Sequence, residues 1–154
     1  MRLHRTDRRA GFTFIEMMIV FVVLGIMTMM MVRSVRGSWY AASRRAATRD
    51  VTAYLFRGRT IAIQQSRAAW VVRSGDVLKI LVDSSGTPVQ LGTPLDFWQR
   101  YSAHLGASPT DTIAFDPRGF TPYPTLAPRI IVQYAGRTDT VCVTGLGKIT
   151  GRSC

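Results

Sequence analysis

The chain has 154 residues, and its 20 Lys and Arg against nine Asp and Glu give a net charge of +11. This length leaves room for one membrane helix and one globular domain, and it excludes a second hydrophobic core. A basic surface attracts phosphates, anionic lipids or acidic proteins, and net charge alone does not choose among them.

The first 32 residues join a basic segment to an apolar one. Four arginines and then Gly11 come first, and residues 12–32 carry a single charge, that of Glu16. A helix of this length crosses about 30 Å of hydrocarbon, so the run predicts a membrane helix. The carboxylate of Glu16 costs about 2.5 to 3.5 kcal/mol there, which indicates that it has a partner. A secretory signal would place its small residue after the apolar run, whereas Gly11 precedes it.

The basic leader, Gly11, Phe12 and Glu16 together resemble the class III signal of type IV pilins and type II secretion pseudopilins. The resemblance implies that a prepilin peptidase cuts between Gly11 and Phe12, and that Phe12 becomes an N-methylated terminus. It also implies that Glu16 pairs with the terminal amine of a neighbouring subunit, since a buried charge is tolerated mainly when it is paired. The alternative is an uncleaved membrane anchor with a chance glutamate.

The helical pattern continues beyond residue 32. Residues of one face recur at three- and four-residue steps, while Arg45, Arg49 and Arg59 lie on other faces, which we interpret as solvated. The pattern predicts one helix over residues 12–67, whose amphipathic second half packs on the globular domain. The predicted packing face consists of Ala47, Val51, Tyr54, Leu55, Gly58, Ile61, Ala62 and Gln65.

The texture of the sequence changes at residue 68, where Val, Ile and Leu become frequent and short turns follow. We expect a hairpin with a Ser74-Gly75 turn, and a long loop or short helix at 92–109 anchored by Trp98, Tyr101 and Leu105. A further short run begins at Phe120. The predicted strands cover residues 68–73, 77–83, 89–91, 112–115, 129–134, 140–144 and 148–150. Every connection is short enough for antiparallel pairing.

Segments of the C-terminal half resemble one particular family among pilins and pseudopilins. Residues 115–119 (Phe-Asp-Pro-Arg-Gly), 129–132, 141–144 and 147–149 are similar to the GspH/FimT family of minor pseudopilins and minor pilins. The resemblance implies an α+β, pilin-like fold in which a long N-terminal helix packs on an antiparallel β-sheet. The implied segments are a leader at 1–11, a transmembrane and assembly helix at 12–32, its amphipathic continuation at 33–67, and a β-rich periplasmic domain at 68–154.

Two cysteines, Cys142 and Cys154, lie near the C-terminus. In an exported domain the compartment is oxidising, and we expect the two to form a disulfide. A loop of this size contributes about 3 kcal/mol in the chain-entropy model, chiefly by restraining the tail. A metal site is the alternative, but His4 and His104 are the only histidines.

The sequence predicts no enzyme, no cofactor and no metal. With two histidines it offers no credible Ser/His/Asp set, no Gly-rich phosphate loop follows a strand, and the acids show no metal-ligand spacing.

The resemblance implies a minor pilin or pseudopilin that, after processing, joins a type IV pilus or type II secretion pseudopilus, at its initiation or tip. Its expected partners are prepilin peptidase, other pilins through the N-terminal helix, and inner-membrane lipid. The protein would be single-pass in the inner membrane, with its C-terminal domain in the periplasm.

A DNA-capturing, FimT-like minor pilin for natural transformation is the alternative function. Its candidate residues are Arg137, Lys148 and Arg152, whose cations would neutralise phosphates without reading sequence. Ordinary solvated charges on an Arg-rich protein explain the same residues.

Overall fold

The computed structural model of the chain describes residues 12–123 and 127–151, with the side chains of 32–38 excepted. The chain divides into two compact units, Met1–Trp39 and Tyr40–Cys154. The described residues do not include the predicted leader, whose last residue is Gly11, nor do they include Arg152 and Cys154.

Helix α1 spans Phe14–Gln65, two residues shorter at each end than predicted. It begins late because Thr13 caps it: the Thr13 hydroxyl accepts a hydrogen bond from the Glu16 N–H at 3.3 Å. It ends early because Ser66 adopts a left-handed φ of 51°. The N–H groups of Ser66 and Arg67 then bond the carbonyls of Ile63 and Ala62, which is a Schellman motif.

The stretch Phe14–Met31 of α1 is apolar on all sides except at Glu16, and it is uncovered. Phe14–Met31 is the one described helical stretch that is long and apolar enough to cross a membrane, with a mean hydropathy of 2.3 and no residue buried. An apolar surface of this kind requires lipid or neighbouring helices.

The part of α1 in the second unit buries the predicted face. Seven of its eight predicted residues are buried, and Gln65, the last residue of the helix, is exposed. The helix approaches the first strand most closely at Gly58, where a Cβ would lie 2.6 Å from the Cγ2 atom of Val71. Only glycine fits this contact without displacing its neighbour.

One short helix and nine strands follow α1. In chain order they are β1 (Ala69–Ser74), β2 (Val77–Ser84), β3 (Thr87–Gln90), β4 (Leu95–Asp96), α2 (Phe97–Tyr101), β5 (His104–Ser108), β6 (Thr112–Phe115), β7 (Arg129–Tyr134), β8 (Arg137–Val143) and β9 (Ile149–Gly151).

The strands form two antiparallel sheets. The first has the order β3-β2-β1-β6, with β4 also paired to β2, and the second has the order β5-β7-β8-β9. Buried residues of α1 and of both sheets form one hydrophobic cluster. The predicted α+β class and antiparallel pairing are confirmed.

Two of the hairpin turns differ from the predicted ones. Ser74 pairs with Val77, so the first turn is Gly75-Asp76 and not Ser74-Gly75. The β7–β8 turn contains two residues, Ala135 and Gly136, instead of five, because both adopt positive φ (48° and 74°). A two-residue turn with positive φ at both positions matches the twist of the flanking strands.

The segment 92–109 is more ordered than predicted, since it contains β4, α2 and β5. Asp96 caps α2 by accepting a bond from the Gln99 N–H at 3.0 Å. Leu105 is buried as expected, but Trp98 is 51% exposed and Phe97 is the buried anchor. The run predicted after Phe120 is not a strand: Phe120 to Tyr123 have no strand assignment.

Asp76 connects the first hairpin turn to β5 of the other sheet. Its carboxylate accepts a hydrogen bond from the Leu105 N–H at 2.8 Å and lies 2.9 Å from Nδ1 of His104. Burial raises the pKa of Asp76, but the bonds from Leu105 and His104 outweigh it, so this pKa lies below its usual value. The His104 ring in turn stacks on Trp98.

Two glycines allow close packing of α1 against two loops, a contact that we call the junction of Arg59, Gly119 and Gly147. Arg59 Nε donates a hydrogen bond to the Gly119 carbonyl at 3.0 Å, and Gly147 lies against the same carbonyl. Both glycines have positive φ, 83° and 72°. A Cβ on Gly147 would overlap the Gly119 carbonyl oxygen, so this junction excludes any side chain there.

Gly147→Ala is therefore expected to destabilise the protein by about 3 kcal/mol, since left-handed strain and overlap with a backbone carbonyl add. Gly136→Ala is the matched control, because Gly136 also has positive φ but would have no atom within 4 Å of its Cβ. The control should lose only about 1 kcal/mol. Chemical unfolding of the full chain in a neutral detergent measures both losses. Equal losses would show that the contact of Gly147 with the Gly119 carbonyl adds no cost.

Asp76→Asn is expected to lower the free energy of unfolding at neutral pH. Because the folded pKa of Asp76 lies below its unfolded value of about 3.9, the carboxylate's contribution is fully present above that value. It is lost as pH falls through the folded pKa. The gap between wild type and variant should therefore shrink below about pH 4, and a gap independent of pH would argue against this role.

Candidate functional site

The N-terminal site consists of Phe12, Thr13 and Glu16. Thr13 is the N-cap of α1, and Glu16 occupies the third helical position, where a carboxylate interacts favourably with free N–H groups. Phe12 is 78% exposed and Glu16 is exposed as well. A role for Glu16 is predicted above from the sequence. Thr13 is an additional residue of the site, and its signal in the sequence is the capping-box pattern Thr-Phe-Ile-Glu.

None of the described residues pairs with the Glu16 carboxylate, and none covers the apolar surface that follows it. Exposed large side chains run from Phe14 to Met31. Each loses hydration favourably on burial, at about 25 cal/mol per Å² of apolar area. The arrangement suits packing against other helices or lipid, with a counter-charge supplied near Glu16.

The two described cations of the DNA hypothesis, Arg137 and Lys148, do not lie together. Arg137 opens β8, whereas Lys148 follows the end of that strand, so seven residues of extended chain, about 20 Å, separate them. Arg152 lies outside the described residues. Lys148 instead faces arginines of α1 across a cavity.

That cavity, which we call the basic groove, has a volume of about 800 Å³ and lies between α1 and the segment 146–151. Its cations are Arg45, Arg49, Arg59 and Lys148, and its apolar side chains are Phe56, Leu146 and Ile149. From the sequence, the α1 arginines were predicted to lie on a solvated face. The available signal was their spacing, because residues 45, 49, 52, 56 and 59 follow one helical stripe.

Cys142 is buried in β8, with 1% of its surface exposed. Its predicted partner Cys154 lies outside the described residues, so the Cys142–Cys154 disulfide stays a prediction. Across residues 12–123 and 127–151, no group of three or more His, Cys, Asp or Glu side chains could hold a metal ion.

Comparison with known proteins gives two matches. Residues 6–32 match the family model of the prokaryotic N-terminal methylation motif. The crystal structure of the type IV minor pilin FimU from Pseudomonas aeruginosa in space group P21 superposes with a TM-score of 0.59 at 19% identity, covering 71% of this chain and 87% of that one. The P65 crystal form gives a TM-score of 0.57 at 19% identity, with 71% and 92% covered.

A search of curated proteins gives no match. At 19% identity the likeness to FimU shows the fold alone, and the methylation motif supplies the separate, N-terminal finding. The narrower GspH/FimT resemblance stays a prediction. The chain therefore carries a prokaryotic N-terminal methylation motif, and its fold is similar to that of the type IV minor pilin FimU.

Proposed function

We propose that the chain is a minor subunit of a type IV pilus or a type II secretion pseudopilus. Prepilin peptidase removes residues 1–11, and residues 12–32 hold the protein in the inner membrane with its domain in the periplasm. The observation that carries the proposal is the methylation motif at 6–32, which contains an uncovered apolar helical stretch with Glu16 in its first turn.

Filament assembly would cover the apolar surface of this segment and would supply a counter-charge for Glu16. Helices of neighbouring subunits would cover the apolar surface of Phe14–Met31. The amine created by cleavage before Phe12 would pair with Glu16 of another subunit, which removes two separate desolvation costs at once. An uncleaved anchor would leave the carboxylate in lipid without such a partner.

The charge of the domain favours a minor position, at initiation or at the tip. Between Tyr40 and Gly151 there are 13 Lys and Arg against seven Asp. Repeating this excess along a homopolymer would bring like charges together at every step. A single copy among other subunits avoids that repulsion.

DNA capture through Arg137, Lys148 and Arg152 is less favoured. Its two described residues lie at opposite ends of β8, so they offer separate phosphate contacts and no continuous track. The hypothesis remains testable because it requires both residues to act on the same ligand.

Glu16→Ala is expected to give a protein that is cleaved and membrane-bound but absent from filaments, because the amine of its neighbour loses its counter-charge. Thr13→Ala is the control, since it removes the helix cap and leaves the charge in place. It should enter filaments at a level close to wild type. Immunoblots of sheared filaments and of membranes measure both, and normal incorporation of Glu16→Ala would refute the assembly role.

Gel shifts of the full chain in neutral detergent with duplex DNA test the alternative. We expect no stable complex at about 0.15 M salt, since scattered cations bind weakly once phosphates are screened. A complex that persists at this salt, and that Arg137→Ala and Lys148→Ala each weaken, would favour DNA capture instead.

A further inference from the structure

We propose that the basic groove binds an extended acidic segment of a different protein, in which carboxylates and apolar side chains lie on the same face. The proposal concerns the second unit alone and does not depend on filament assembly. It rests on the groove's composition, on the state of the chain's own acids, and on the edge strand that borders it.

The groove combines cations with uncovered apolar side chains. Arg45 and Arg49 are exposed on the α1 wall, and Lys148 is exposed on the opposite wall. Between them, Phe56 is 59% exposed and Leu146 is 72% exposed. No acidic residue lines the groove among the described residues. A ligand that fits must therefore bring negative charge and apolar surface together.

The aspartates of the second unit already have local partners. Each of the seven in the second unit already accepts a hydrogen bond or forms an ion pair with a described residue. The pairs are Asp50 with Tyr101, Asp76 with Leu105, Asp83 with Gly86, Asp96 with Gln99, Asp111 with Arg73, Asp116 with Arg118 and Asp139 with Thr48.

Because residues 40–151 carry 13 Lys and Arg against seven Asp, a second copy of the second unit would on balance be repelled by the cations of the groove. By contrast, Arg45, Arg49 and Lys148 have no ion pair with any described residue, whereas neighbouring Arg44 lies 3.6 Å from the Asp139 carboxylate. The unpaired cations face the groove, which points to an acidic partner of another sequence.

The geometry of β9 favours an extended ligand. This strand is the last in its sheet, and its outer edge has no partner strand among the described residues. Ile149 and Gly151, two residues apart and so on one face of β9, both line the groove. An extended segment beside β9 gains main-chain hydrogen bonds, and its alternating side chains reach the α1 wall.

The shape of the groove disfavours duplex DNA. A cavity of about 800 Å³ accommodates a few side chains, whereas a rigid duplex contacts convex or flat basic surfaces through its phosphates. Phosphates would also leave Phe56 and Leu146 without apolar contacts.

Fluorescence anisotropy with two labelled ten-residue peptides tests the proposal on the full chain in neutral detergent. One peptide repeats Asp-Asp-Leu-Leu, which places both residue types on each face of an extended chain, and the other repeats Asn-Asn-Leu-Leu. We expect the Asp peptide to bind at least about tenfold more tightly, because only it meets the cations. The double variant Arg45→Glu/Arg49→Glu should lose about tenfold or more in affinity for the Asp peptide, and Phe56→Ala should lose several-fold.

Arg137→Glu is the matched control, since it also reverses an exposed arginine in the second unit but lies at the far end of β8. It should change the affinity less than about twofold. Thermal unfolding of each variant shows that it is folded, and Lys148→Glu replaces the double variant if that one is not. Equal binding of both peptides, equal losses in Arg137→Glu and the groove variants, or displacement of the Asp peptide by low concentrations of duplex DNA would each overturn the proposal.

Discussion

The second unit depends on one stripe of α1 that both sheets share. Gly58 lets the helix meet Val71 of β1, and Thr48 donates a hydrogen bond to Asp139 of β8. Ala47, Val51 and Leu55 are fully buried in the same cluster. Because neither sheet alone covers both of its faces, the small and apolar residues of this stripe hold the two together.

The stripe and the hairpins could be predicted from the sequence because their causes are local. Residues at three- and four-residue steps identify the buried helix face whatever covers it. Strands β6 and β7 were predicted with their observed bounds, Thr112–Phe115 and Arg129–Tyr134, since β-branched and aromatic residues fill them. The predicted turn residues were wrong, because register depends on which residues pair and not on composition.

Strand β5 of the second sheet could not be predicted in the same way. Strand β5 has the sequence His-Leu-Gly-Ala-Ser, which contains no β-branched residue, and its partner β7 lies more than twenty residues later. The junction of Gly119 with Gly147 is likewise non-local. The basic groove was missed because the same arginines satisfy a solvated-face pattern, and only the position of Lys148 opposite them indicates a cavity.

Each unit has surface groups that need a partner. The first unit carries an apolar surface with one unpaired acid. The second unit carries an excess of cations, and its aspartates already have hydrogen-bond or ion-pair partners. Neither requirement is met within the described residues, so both units are built for partners. Cleavage before Phe12 is the event on which the proposed assembly depends, because only that event creates the amine for Glu16.

Mass spectrometry of the protein purified from its native membrane tests this most directly. The account predicts a mature chain that begins at Phe12, with a methylated amine. A chain that retains Met1, with Phe12 internal, would contradict it and would leave a basic domain on a simple membrane anchor.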